Sequence, residues 1–177
     1  MKDAKGELTG RAKANHLVAS FARWLGVYDA ELNMENDRSF GECGFHYYPE
    51  KDALRGRVYI EMAWEPSDPE AVKANFRKVA KALNDPKIGG KFDRGGGKFV
   101  LDEEKRMFFL VKDFPVAETT PRALRVKMEK LMNVGATWSL QYLGRVSRIA
   151  HGWEPAPEEP VSWSMEDKEA DKEADKE

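Results

Sequence analysis

The chain has 177 residues, enough for one domain with a real core and short for two. Apolar residues make up 41% and charged residues 34%, and 29 basic side chains against 31 acidic ones leave a net charge of -2, so no strong overall field recruits nucleic acid or an anionic membrane. A single cysteine, Cys43, excludes an internal disulfide and a cysteine-rich zinc site, and no run approaches the ~18 apolar residues of a membrane span.

The first stretch, MKDAKGELTGRAKANH, carries no apolar segment of the signal-peptide kind, and residues 1–10 read as a flexible N-terminus. With the lone cysteine, this points to a soluble cytoplasmic protein. From Arg11 to Leu25 the spacing is helical. Leu17, Phe21, Trp24 and Leu25 share one face, Val18 and Ala22 widen it, and Gly26 stands where a left-handed stop belongs. Residues 29–39 form a polar connection with room for a short strand around Leu32.

FGECGFHYY (Phe40–Tyr48) favours a strand, and Pro49 to Gly56 reads as a turn. RVYIEMAW (Arg57–Trp64) alternates, with Val58, Ile60, Met62 and Trp64 on one side. Period-two alternation is typical of an antiparallel strand covered on one face. Asp68-Pro69 predicts a helix start, a capping side chain followed by a ring with the right φ. The helix carries an apolar stripe of Ala71, Val72, Phe76, Val79, Ala80 and Leu83, and Lys73, Arg77, Lys78 and Lys81 line its other side.

Residues 87–97 are glycine-heavy. A phosphate-binding loop would need GxxxxGK and then a hydroxyl residue, leading into a helix. Here Lys91 follows Gly90, Phe99 follows Gly97-Lys98, and a strand comes next, so a flexible turn is expected. Phe99–Leu101 and Met107–Val111 are two apolar runs joined by the polar Asp102–Lys105, a β-hairpin that Phe114 extends. Thr120-Pro121 opens the longest helix, with Leu124, Met128, Leu131, Gly135, Trp138 and Tyr142 at steps of three and four. It has room to run past Gly144 to about Ile149. Trp153–Pro160 is proline-rich, and EDKEADKEADKE (166–177) holds no large apolar residue. Residues 151–177 therefore read as a linker and a charged disordered tail. The order α-β-β-β-α-β-β-α over residues 11–150 implies one α+β domain, a mostly antiparallel sheet of about five strands with helices packed on it.

Catalytic and metal-binding patterns do not emerge. His16, His46 and His151 fall in separate elements, Asp102-Glu103-Glu104 is contiguous where a calcium loop alternates its ligands, and no serine lies in GxSxG. No enzyme activity, cofactor or metal is expected. Trp24, Trp64 and Trp138 are assigned to the core. Phe45, Tyr47, Tyr48 and Tyr59 cannot all point into one core, because successive strand residues alternate faces. Some must lie on a second sheet face that no helix remains to cover, and that implies a polypeptide partner.

Two segments resemble a known family. LVASFARWLGV (Leu17–Val27) is similar to the opening helix of the class I type III secretion chaperones and the related YbjN-like proteins. KFVLDEEKRMFFLVKDFPV (Lys98–Val116), followed by a helix ending in Ala136-Thr137-Trp138-Ser139-Leu140, resembles their closing segment. Together they span most of residues 15–145. The resemblance implies a small, non-catalytic cytoplasmic homodimer that holds an extended segment of a secreted effector in apolar grooves and along sheet edges. A net charge of only -2 and a long tail after residue 150 depart from the chaperone pattern and leave the YbjN-like branch open. On this reading Leu17, Phe21, Phe45, Tyr47 and Tyr59 form the partner groove, and Val72, Phe76, Val79, Ile60 and Met62 form the dimer contact. The alternative is a regulatory module touching nucleic acid through Lys73, Arg77, Lys78 and Lys81.

Overall fold

A computed structural model describes residues 8–28, 37–84, 94–141 and 143–153. Helix α1 (Gly10–Trp24) is followed by strands β1 (Arg38–Phe40), β2 (Cys43–Tyr48) and β3 (Ala53–Met62), with a single 3-10 turn at Pro49–Lys51 between the last two. Then come α2 (Glu70–Asn84), β4 (Lys98–Asp102), β5 (Met107–Pro115), α3 (Pro121–Gln141) and α4 (Leu143–Ala150). The five strands form one antiparallel sheet in the order β1-β2-β3-β5-β4, as expected from the α+β reading. The possible strand at Leu32, most of the glycine-rich stretch, most of the N-terminal segment and the tail after Trp153 lie outside the described residues.

Local chemistry explains most helix ends. Past α1, Gly26 takes φ 82°, and Val27 N–H reaches back to Ala22 O at 2.9 Å, which closes the last turn. At α3, Thr120 Oγ1 accepts from Ala123 N–H at 3.2 Å and Pro121 takes the first helical position. The expected twin of this device at Asp68-Pro69 is not built. The Asp68 carboxylate turns back to Glu65 N–H at 2.9 Å, and Pro69 itself precedes the first helical residue, its carbonyl accepting from Val72 and Lys73.

The described helices pack into one cluster with one face of the sheet. Leu54, Val58, Phe99, Phe108, Leu110 and Phe114 supply the sheet's share, and Leu17, Phe21, Leu124, Met128 and Leu131 supply much of the helices'. Helix α3 lies close against β3 because two glycines let it. A Cβ on Gly56 would stand 2.4 Å from Met128 Sδ, and one on Gly135 would stand 2.8 Å from Val58 Cγ1. Phe99 meets Trp138 edge-on at 4.6 Å, and Phe76 bridges Trp64 and Phe108 at 6.0 Å each.

Other expectations change as well. The turn after Tyr48 is shorter than Pro49–Gly56: Asp52 at φ 42° closes it and β3 begins at Ala53, because Tyr48 already pairs with Ala53. The alternation of β3 breaks at a bulge, where Tyr59 pairs with Phe109 but Glu61 with Phe108, so Ile60 is the extra residue. Ile60 and Trp64 stay in the core, while Met62 passes to the other face, opposite Met107, and is 45% exposed. Trp24 is 40% exposed, since it follows the last buried residue of α1, and its ring lies 5.3 Å from that of Phe21.

Candidate functional site

The second face of the sheet is the candidate surface. Register places Gly44, His46 and Tyr48 of β2 beside Arg57, Arg55 and Ala53 of β3. Across β3, Tyr59, Arg57 and Arg55 stand opposite Phe109, Val111 and Asp113 of β5, and Val100 of β4 lies beside Phe109. Phe109 and Val111 are buried, yet they do not belong to the helix-covered cluster, and among the described residues no helix packs on them.

Long cations lie over the rings of this face. The Arg55 guanidinium stands 4.9 Å from the Tyr48 ring centre and grips Asp113 at 2.6 and 2.9 Å. Arg57 covers Tyr59 at 5.9 Å and pairs with Asp37 at 2.6 Å. Lys105 covers Phe109 at 5.7 Å, while the Tyr59 and Phe109 rings meet at 4.9 Å. His46 Nδ1 donates to Asp37 at 2.6 Å, and the Tyr59 and Ser39 hydroxyls share a hydrogen bond of 2.9 Å. Gly44 makes room for the layer, because a Cβ there would meet Arg38 O at 2.8 Å and Arg57 Nε at 3.1 Å. Arg57 Nε is buried without an acceptor, so that guanidinium is only partly satisfied by Asp37.

The charges follow from these contacts. Hydrogen bonding from Arg55 holds the Asp113 carboxyl below the usual range. For Asp37, burial works to raise the carboxyl, and hydrogen bonds from Arg57 and His46 outweigh it, so it too lies low. The surface is therefore a mixed one: ring edges, methionine tips and paired ions. It suits another polypeptide better than a small anion.

The residues assigned from sequence divide unevenly. Leu17, Phe21 and Phe45 are fully buried, and Tyr47 is buried with its hydroxyl donating to Asp52 at 2.9 Å. They fill the space between α1 and β2, so a partner would have to open the core to reach them. Of the five groove residues only Tyr59 lies on the open face. Phe76 and Ile60 are likewise core, and Val72 and Val79 are half-buried against it, because α2 must cover β4 and α4 within its own subunit. Met62 alone of the five proposed dimer residues is exposed on the open face. The arginine layer was not assigned, although Arg55, Arg57 and Tyr59 at alternate positions of one strand put three large side chains on one face.

Within the basic stripe of α2, Arg77 is engaged by carboxylates of its own subunit. Arg77 takes Glu103 with two bonds at 3.0 and 2.8 Å, also takes Glu70, and lies 5.7 Å from the Trp64 ring. Both carboxyls are lowered by it. Catalytic geometry is also poor. Cys43 donates weakly to Phe40 O at 3.5 Å, and burial pushes its thiol up to about 11, so it is no thiolate nucleophile at neutral pH. Ser147, His151 and Asp68 do meet. His151 Nδ1 lies 2.8 Å from Ser147 O and 3.5 Å from Ser147 Oγ, and Nε2 lies 3.2 Å from Asp68. The carbonyl takes the Nδ1 proton, which leaves no lone pair facing the hydroxyl, so the trio fastens α4 to the entry of α2 rather than activating a serine. Among the described residues no group of histidine, cysteine and carboxylate side chains could hold a metal ion, and no helix is long and apolar enough to cross a membrane.

No protein-family model and no curated protein matches the sequence. Solved structures do. A chain of the ExsC–ExsE complex is similar at a TM-score of 0.54 and 18% identity, over 76% of this chain and 96% of that one. A chain of the HopA1–SchA chaperone–effector complex is similar at a TM-score of 0.48 and 16% identity, over 72% and 94%. At 18% identity the first likeness is one of fold, and it spans nearly the whole of that chain.

Proposed function

We propose that this protein is a non-catalytic, chaperone-like binding subunit of the type III secretion kind. It works in the cytoplasm as a homodimer and holds an extended segment of another protein, a secreted effector. One observation carries this reading: the described helices all lie on one face of the sheet, while Tyr48, Tyr59, Met62, Met107 and Val100 occupy a face that none of them covers. A pleated layer whose second, aromatic face is roofed by long charged side chains rather than by a described helix is a surface for another chain. Likeness of fold to a chain solved in a two-protein complex supports it.

Tyr59 and Met62, the two assigned residues on that face, are placed at the contact. The Met62–Met107 end meets the second copy, and the Tyr48–Tyr59 side meets the extended segment. The test is tagged expression beside the products of neighbouring genes. One of them should co-purify with the wild type and be lost with Tyr59→Glu. Retention by Tyr59→Glu, or no retained polypeptide at all, overturns the reading.

A further inference from the structure

Strand β4 is one edge of the sheet, with β5 on its inner side only. In an antiparallel strand the N–H and C=O of one residue point to the same side, and alternate residues face the free edge. At Phe99 those two groups are occupied. Phe99 N–H donates to Asn84 Oδ1 at 2.9 Å, and Asn84 Nδ2 donates to Phe99 O at 2.6 Å. Nδ2 also donates to Ala80 O at 3.1 Å, one turn back in α2. The side-chain amide is thereby used at both donors and its acceptor, and helix α2 holds it from behind. An amide offering one donor and one acceptor in this way makes the same pair of bonds as a neighbouring strand.

We infer that Asn84 stands in for a sixth strand and shuts the β4 edge against pairing with another copy of this chain. Open edges invite such pairing, and natural sheets block them by covering or interrupting the row of free backbone groups. A carboxylate would supply the acceptor but neither donor, and alanine would supply nothing. The inference does not depend on the proposed partner: it concerns which edge is closed, not what the open face holds.

Hydrogen exchange on the full-length protein tests it first. In the wild type the Phe99 amide should exchange as slowly as that of Val100, which faces β5. In Asn84→Ala it should exchange roughly five- to tenfold faster, the effect of losing one hydrogen bond of ordinary net strength. That variant should also sediment with added higher-mass species whose share grows with concentration, and Asn84→Asp should fall between. A Phe99 amide that exchanges in the wild type as fast as an exposed turn amide overturns the inference, and needs no variant to fold. Faster exchange in Asn84→Ala without added association overturns the role against other chains.

Discussion

Phe108 and Phe109 are neighbours in β5 and belong to different environments. Phe108 enters the helix-covered core against Phe76, and Phe109 meets Tyr59, Lys105 and its β4 neighbour Val100 on the open face. Both are nearly fully buried, at 1% and 3% exposed. Burial alone therefore does not separate them. What differs is the covering material: fixed helices on one side, and long charged side chains that can swing away on the other. The covered face is built for stability, and the open face keeps apolar area that a second polypeptide can use.

The largest expected effect divides these two residues. Phe108→Ala should cost about 3–5 kcal/mol, because rigid neighbours leave a cavity. Phe109→Ala should cost about 1–2 kcal/mol, since Tyr59 and Lys105 can collapse into the gap. Urea unfolding of both variants checks this, and equal losses would mean the open face is already as tightly built as the core.

Next comes Gly56→Val. Its branched side chain would enter the space of Met128 and Phe114, so a loss of about 1–3 kcal/mol is expected from overpacking. A smaller loss would show that α3 rides more loosely on β3 than the close approach implies. Arg55→Ala on the open face should cost under about 1 kcal/mol in the monomer, because the Arg55–Asp113 pair is part-exposed. It should also uncover the Tyr48 ring and raise its reactivity toward tyrosine-modifying reagents.

The smallest effect is in acid. The folded-state carboxyls of Asp113 and Asp37 lie below their ordinary value, so their contribution is present above the unfolded aspartate range and is lost as pH falls through the folded values. Stability measured by urea unfolding should be flat from neutral pH down to about 4 for these two groups and decline below it. Asp113→Asn should shrink that decline.

The order of elements was legible because apolar periodicity, Gly26 and Thr120-Pro121 each acted locally. The faces were less so. Nothing in the spacing of Val58, Ile60, Met62 and Trp64 announces a bulge, since a bulge is fixed by the register with β5, and it sends Met62 to the opposite side. Trp24 continues the α1 stripe in sequence but stands at the last helical position, past the last buried residue Ala22. Leu17, Phe21, Phe45 and Tyr47 were read as groove because apolar side chains at a partner site and in a core look alike in one dimension. Tyr59 differs from them, because it continues a row of two arginines, Arg55 and Arg57, at every second position.

The most direct test of the uncovered face is the molar mass of the purified protein at micromolar concentration, by sedimentation equilibrium. With a subunit of 20.1 kDa, the wild type should sediment at about twice that mass, and Met62→Glu should return it to the single subunit with its fold intact. A wild-type protein that stays at 20.1 kDa and carries no second polypeptide would contradict the account.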